Sequence, residues 1–118
     1  MISTVSGIIR DDVSWTDAVR ATFPMGSMTG APKKKVMELI EKYERTKRGL
    51  FSGSVGYIEP GGDFDFNVVI RSILYNSEAK YLSFQAGSGI TFYSEAEKEW
   101  EECMLKAAAI KKVLEISR

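Results

Sequence analysis

The chain has 118 residues, no histidine and one cysteine, and its 16 basic and 16 acidic residues give a formal net charge of zero. The length predicts a single domain over residues 1–118, and the balanced charge and short apolar runs exclude a nucleic-acid footprint and a membrane span. The absence of histidine excludes Ser-His and Cys-His nucleophile pairs, while the unpaired Cys103 favours a cytoplasmic location.

The first half of the chain predicts a strand and two helices. Residues 2–9 mix β-branched and small polar side chains, which favours a strand. Residues 11–14 offer N-caps for a short helix that carries Trp15. A loop with two glycines follows over residues 23–32, and helical periodicity then predicts a second helix to about residue 45.

The second half of the chain changes to a period of two and then returns to helical spacing. Residues 60–63 have the composition of a hairpin turn, and Ser94 is a natural N-cap for a last helix over residues 95–116. Three strands are predicted, over residues 50–59, 64–75 and 81–86. The apolar side of the last helix is predicted to contain Trp100, Cys103, Ala107, Ile110 and Leu114. The predicted fold class is α+β, an antiparallel β-meander with flanking helices.

Charged residues interrupt the apolar stripe in the first turns of this last helix. Glu99, Glu102 and Lys106 are spaced by three and four residues, so they share one face. Two glutamates in this spacing suit a hard divalent cation such as Mg²⁺, and the lysine could pair with an acid bound to that cation. A solvated, salt-bridged face near a helix N-terminus explains the same spacing, and on spacing alone this simpler interpretation is favoured.

Three further features could bind an anion. Residues 26–33 place glycines and hydroxyls before a helix, although the segment does not match an ATP-binding P-loop and a tight connection explains it too. Gly87 and Gly89 permit a positive φ, a close approach to a ligand carboxylate, or a simple bend. Arg71, in an otherwise apolar predicted strand, could form a bidentate pair with a carboxylate or face solvent.

Taken together, residues 23–33, 48–56, 70–71, 85–90 and 99–106 resemble the chorismate-binding enzyme family in order and spacing. That family includes component I of anthranilate synthase, component I of aminodeoxychorismate synthase, isochorismate synthases and salicylate synthases. Residues 26–33 are most similar to aminodeoxychorismate synthase component I, since anthranilate synthases more often have threonine where Ser27 stands. The resemblance implies that the chain is a C-terminal portion of that family's fold.

The resemblance also implies site residues. Glu99 and Glu102 would bind Mg²⁺, and no residue of this chain would be catalytic apart from an assisting Lys106. The substrate-binding residues would be Ser27, Arg71, Gly87, Gly89 and Lys106. Ser27 would lie near the substrate ring, Arg71 would pair with the enolpyruvyl carboxylate, and the glycine N–H groups would receive substrate carboxylates. At Phe51 the family commonly has a tyrosine, whose hydroxyl is lost here.

The activity implied by the resemblance is conversion of chorismate and ammonia to 4-amino-4-deoxychorismate, a step towards para-aminobenzoate and folate. A glutamine amidotransferase subunit would supply the ammonia. The family's further Mg²⁺-binding glutamate, a catalytic lysine and a histidine belong to upstream sequence, so the 118 residues alone are expected to be inactive. The alternatives are an anthranilate synthase component I fragment, or a non-catalytic module that binds a carboxylate metabolite or a protein. Exposed strand edges would favour a homodimer.

Overall fold

The computed structural model describes residues 4–116. The chain forms two compact units, unit 1 over Met1–Thr46 and unit 2 over Lys47–Arg118. Unit 1 is helical, and unit 2 combines two antiparallel hairpins with a long helix. These elements confirm the predicted α+β class. None of the helices described here is long and apolar enough to cross a membrane.

Unit 1 contains α1 (Trp15–Thr22), α2 (Gly26–Thr29) and α3 (Lys33–Tyr43). The Ser14 side chain caps α1 by accepting a hydrogen bond from the Asp17 N–H at 3.2 Å, as its position before the helix predicts. Lys33, at the start of α3, donates a hydrogen bond to the Thr22 carbonyl at 3.1 Å. This contact ties the end of α1 to the start of α3, and both of these helices confirm the sequence prediction.

Two predictions for unit 1 need correction. Residues 4–9 form no strand and are exposed, while residues 2 and 3 of the predicted strand lie outside the described residues. A β-branched composition is not enough for a strand, because a strand is stable only when paired. Within the predicted loop, residues 26–29 instead form α2, closed by a hydrogen bond from the Gly30 N–H to the Gly26 carbonyl at 2.7 Å.

Unit 2 begins with two antiparallel hairpins. In the first, β1 (Ser54–Ile58) pairs with β2 (Phe64–Val68), and the turn closes with a hydrogen bond from the Glu59 N–H to the Asp63 carbonyl at 2.8 Å. In the second, β3 (Leu74–Asn76) pairs with β4 (Tyr81–Ser83). The turn at residues 60–63 confirms the hairpin predicted from its proline and glycines.

The predicted strand over residues 64–75 is interrupted between β2 and β3, so two two-stranded sheets replace the expected three-stranded meander. The Ile70 N–H bonds back to the Val68 carbonyl at 2.9 Å, and the Ser72 hydroxyl donates to the Ile70 carbonyl at 2.9 Å. Arg71 between them has a φ of +51°. These local hydrogen bonds turn the chain and end the ladder, which the apolar composition of the segment does not reveal.

The last element is α4 (Ala96–Ile116), one residue shorter at its start than predicted. Ala107 and Ile110 are buried, and Cys103 and Leu114 are half-buried, as the helical period predicts. Trp100 departs from the prediction because it is 64% exposed. The buried side chains of α4 therefore lie in its second half, whereas Trp100 in its first turns is exposed.

Candidate functional site

Lys106 connects the charged face of α4 to the segment that precedes the helix. Its ammonium forms an ion pair with Oε1 of Glu102 and donates a hydrogen bond to the Gly87 carbonyl at 2.9 Å. The two partners are separated by 15 positions in the sequence and come together because the chain turns back at residues 92–95 into α4. Three residues that the sequence predicts for one site are therefore joined by direct contacts.

Glu99 lies one turn before Glu102 and is held as a carboxylate. Hydrogen bonding by the Ser94 and Ser88 hydroxyls, together with the positive charge of Lys106, lowers the pKa of Glu99, although partial burial opposes this effect. Its Oε2 is shielded from solvent and accepts no hydrogen bond from any residue in the described part of the chain. A shielded carboxylate oxygen without a donor is a suitable ligand for a cation.

Ser88 and Ser94 are site residues that the sequence pattern did not identify. Ser94 lies in a turn where its Oγ accepts the Thr91 N–H at 2.9 Å and lies 3.3 Å from the Thr91 hydroxyl. The only indication in the sequence is that these two hydroxyl side chains precede Glu99, the first carboxylate on the shared face of the helix. Serine before a helix is more often an N-cap, as the sequence predicts for Ser94, but α4 begins at Ala96 and the Ser94 Oγ accepts the N–H of Thr91 instead.

The two glycines of this region do not need a left-handed backbone. Neither Gly87 nor Gly89 has a positive φ. Among the described residues, a Cβ on Gly89 would meet nothing within 4 Å, and one on Gly87 would meet only Cζ of Phe51, at 4.0 Å. The structure thus removes one of the three explanations for these glycines, positive φ, and leaves a close approach to a ligand or a simple bend.

Phe51 lies beside the same segment. Its Cζ is the ring atom that carries the hydroxyl in tyrosine, and it is also the atom nearest to a Cβ built on Gly87. A tyrosine in this place would point its hydroxyl at the glycine segment. The position at which the chain departs from the family pattern is therefore part of the same surface as Gly87.

Arg71 and Ser27 are not joined to this cluster by any hydrogen bond or ion pair within residues 4–116. Arg71 is exposed at the break between β2 and β3, in a left-handed conformation that is unfavourable for arginine. Such strain often marks a functional position. Ser27 is exposed in α2 of unit 1. Their predicted roles in substrate binding stay predictions.

The acidic residues are compatible with Mg²⁺. The described part of the chain contains no group of three or more acidic, histidine or cysteine side chains that could hold a metal. Mg²⁺ does not require such a group, because it commonly keeps several waters and binds one or two carboxylates together with oxygen atoms of the substrate. Glu99 and Glu102, with the free Oε2 of Glu99, meet that requirement.

The sequence of the chain is similar to a known protein family and to several known proteins. Residues 1–112 match the family described as chorismate binding enzyme. The chain is 41% identical over 117 residues to anthranilate synthase component 1 of Acinetobacter calcoaceticus, covering 99% of this chain and 23% of the relative. It is 47% identical over 116 residues to probable aminodeoxychorismate synthase, chloroplastic, of Oryza sativa subsp. japonica, covering 98% of this chain and 13% of the relative.

A third relative is aminodeoxychorismate synthase component 1 of Bacillus subtilis, which is 38% identical over 117 residues, covering 99% of this chain and 24% of the relative. All three relatives match almost the whole chain, and the chain spans a quarter or less of their length. Relatives with both names have similar identities. The comparisons therefore support both kinds of synthase to a similar degree.

Proposed function

Since this chain belongs to the chorismate binding enzyme family, we propose that it forms part of the chorismate site of an aminodeoxychorismate synthase. The observation that carries the proposal is the contact of Lys106 with both Glu102 and Gly87, beside the ionised Glu99. Carboxylates for a cation, an ammonium group and a glycine backbone meet at one place. This combination suits a small substrate with more than one carboxylate.

Different residues of the chain would bind different groups of the substrate. Lys106 supplies a positive charge, and the backbone N–H groups of Gly87 and Gly89 have no hydrogen-bond acceptor among residues 4–116. These donors can receive substrate carboxylates. Arg71, with five N–H donors in a planar fork, would pair with the enolpyruvyl carboxylate. Ser27 would contact the ring.

Glu99 and Glu102 would hold Mg²⁺, which when bound supplies a positive charge that polarises oxygen atoms of the substrate. The reaction replaces the C4 hydroxyl of chorismate with ammonia, and 4-amino-4-deoxychorismate and water are the products. A glutamine amidotransferase subunit would supply the ammonia. The designation component 1 of the Bacillus subtilis relative supports the existence of a second component.

The second candidate function is that of anthranilate synthase component 1. Relatives with that name match the chain at 41% and 42% identity over 117 residues. The two reactions differ in their products, since the anthranilate reaction releases pyruvate and forms an aromatic amine. The presence of Ser27, where anthranilate synthases more often have threonine, supports the first candidate.

The 118 residues alone should bind ligands without turnover. The matching relatives are much longer, and this chain spans 23% of the Acinetobacter protein and 24% of the Bacillus protein. We therefore expect turnover only when this segment is part of a full-length family member.

Mass spectrometry of reaction products tests the proposal. The chain would replace the matching segment of the Bacillus subtilis relative, and the chimera and the isolated chain would each be incubated with chorismate, Mg²⁺ and ammonium. We expect aminodeoxychorismate from the chimera, none from the isolated chain, and none from a Glu99→Gln chimera. A folded chimera without product, or an active Glu99→Gln chimera, would contradict the proposal. Formation of anthranilate and pyruvate would favour the second candidate.

A further inference from the structure

Two lysines of α4 form ion pairs with acids close to them in sequence, but their surroundings differ. Lys98 pairs with Glu95 at 2.7 Å, and both side chains are well exposed, at 70% and 63%. Lys106 pairs with Glu102, with exposures of 36% and 49%, and it also reaches the Gly87 carbonyl, 19 residues earlier in the chain. Lys98 therefore forms a solvent-exposed pair with a residue three positions earlier, whereas Lys106 joins α4 to a segment that is distant in the sequence.

The Gly87 carbonyl belongs to a glycine segment whose conformation depends on that contact. Glycine has more backbone freedom than any other residue, so residues 87–89 need an external contact to keep one conformation. Apart from the Lys106 contact, the backbone groups of Gly87 and Gly89 make no hydrogen bond to another residue in the described range. Because the peptide unit is planar, a fixed Gly87 carbonyl also fixes the direction of the Ser88 N–H on the opposite side.

Glu102 determines how firmly Lys106 is held. A lysine side chain has four rotatable carbon–carbon bonds, and a carboxylate partner restricts the directions that its ammonium can take. The contact from Lys106 to Gly87 is a charge-assisted hydrogen bond, which is stronger than a neutral one. Loss of the Glu102 charge would release Lys106 and weaken its contact with the carbonyl.

We propose that Lys106 is a positioning residue that links Glu102 to the glycine segment at residues 87–89 and holds the segment in its binding conformation. The link itself exists without any ligand. Its functional consequence rests on the proposed function: a cation at Glu99 and Glu102 and a carboxylate at the glycine segment become coupled, and each changes the affinity of the other by the same factor.

Nuclear magnetic resonance of the ligand-free, ¹⁵N-labelled chain tests the link. In Lys106→Met we expect changed amide shifts at Gly87, Ser88 and Gly89 and lower ¹⁵N order parameters at residues 87–89, because the contact that holds the Gly87 carbonyl is lost. Glu102→Gln should change the same three amides in the same direction by a smaller amount. Lys98→Met is the matched control, since it removes an ion pair of the same helix, and it should leave all three amides unchanged.

Unchanged amides at residues 87–89 in Lys106→Met, with wild-type helicity by circular dichroism, would overturn the proposal. Equal changes in Lys98→Met would also overturn it, because the effect would then be a general one on the helix. If Lys106→Met failed to fold, the near-isosteric Glu102→Gln would decide, and unchanged amides there would contradict the link.

A ligand measurement separates this proposal from the proposed function. Mn²⁺, used in place of Mg²⁺, would be titrated into the wild-type chain with and without chorismate. Coupling means that chorismate changes the Mn²⁺ dissociation constant in the wild type and has at least a fivefold smaller effect in Lys106→Met. Absence of binding sensitive to Glu99→Gln would overturn the proposed function, while the ligand-free amide shifts would still confirm or contradict the link.

Discussion

The two glycine segments of this chain, residues 26–30 and 87–89, have similar compositions and different structures. The first folds into the short helix α2, in which the Gly30 N–H bonds to Gly26 and the Thr29 hydroxyl bonds to the Met25 carbonyl. The second belongs to no helix or strand, and its Gly87 carbonyl accepts a hydrogen bond from Lys106 of α4. Glycine and hydroxyl content therefore does not identify a ligand site by itself.

The difference lies in which groups satisfy the backbone. In the first segment, the N–H groups of residues 28–30 donate to the carbonyls of residues 25 and 26, and the Lys33 ammonium donates to the Thr22 carbonyl. In the second, the N–H groups of Gly87 and Gly89 remain without acceptors among residues 4–116, and charged side chains of α4 lie beside them. A glycine segment becomes a candidate site when another element supplies charge and the segment keeps its own donors.

The largest effect is expected from the acids of α4. Glu99→Gln should weaken Mn²⁺ binding by about 100-fold or more, because loss of a direct ligand should exceed the effect of losing an outer contact. Glu102→Gln should act in the same direction. Glu38→Gln is the matched control, since Glu38 belongs to α3, pairs with Lys35 and follows the first glycine segment. Titration calorimetry measures these constants, and equal binding by Glu99→Gln and the wild type would contradict the assignment.

Alanine at a glycine of each segment should separate stability from binding. Gly30 has a φ of +113°, and a Cβ there would lie 3.2 Å from Cγ1 of Val36. Gly30→Ala should therefore destabilise the chain by about 1–3 kcal/mol in urea unfolding. Gly89→Ala meets no atom within 4 Å, so stability should stay within about 0.5 kcal/mol of the wild type.

The same two variants should behave in the reverse way towards chorismate. We expect Gly89→Ala to weaken chorismate binding by about tenfold, because a methyl group blocks close approach of a carboxylate to the backbone. Gly30→Ala should weaken it less, because Gly30 closes α2 and would act on the substrate only through Ser27. Fluorescence titration checks this, and an unaffected Gly89→Ala would mean that the second segment is a simple bend.

A smaller effect, a gain in chorismate affinity, is expected from a substitution at Phe51. Phe51→Tyr adds a hydroxyl to the ring atom that lies nearest to Gly87. A new hydrogen bond to a neutral oxygen of the enolpyruvyl group is worth about 0.5–1.5 kcal/mol, so chorismate affinity should rise about two- to tenfold. Phe23→Tyr, in unit 1, serves as the control. Unchanged affinity in Phe51→Tyr would show that the ring faces away from the bound ligand.

The smallest effect concerns the pKa of Glu99. The Ser94 hydroxyl lowers this pKa, so Ser94→Ala should raise it, and carbon-13 resonances of the Glu99 carboxyl report the change. Because the folded pKa is depressed, the ionised group stabilises the fold above the unfolded pKa, and this contribution is lost as the pH falls through the folded pKa. In Ser94→Ala, the free energy of unfolding that is lost on acidification through the Glu99 pKa should be smaller than in the wild type. Ser77→Ala, in the turn between β3 and β4, should change nothing.

Much of the fold could be predicted from local signals. The Ser14 cap, the spacing of the apolar residues in α3 and α4, and the turn at residues 60–63 each act within a few positions, and all were recognised. The errors concern longer-range requirements. Residues 4–9 form no strand despite their composition, and the strand break at Arg71 depends on a positive φ that its apolar neighbours do not indicate.

In the candidate site, too, local contacts could be predicted from the sequence and long-range contacts could not. The shared face of Glu99, Glu102 and Lys106 follows from helical spacing, and the ion pair of Glu102 with Lys106 is the contact that the salt-bridged interpretation of this face predicts. The contact of Lys106 with Gly87 spans 19 residues, and no local pattern specifies it. The sequence does not identify Ser94 as a site residue because a hydroxyl near a helix start is usually a cap, and it does not identify Ser88 because only the flanking glycines carry a signal. Their role depends on the path of residues 88–94.

The most direct test of the central claim is the response of the glycine segments to chorismate. The ¹⁵N-labelled chain would be titrated with chorismate in the presence of Mg²⁺, and the amide resonances of both segments would be followed. We predict saturable shifts at Gly87, Ser88 and Gly89 that disappear in Glu99→Gln and persist in Glu38→Gln. Shifts at residues 87–89 that persist in Glu99→Gln, or no shifts there at saturating chorismate, would contradict the claim that this segment and α4 form one site.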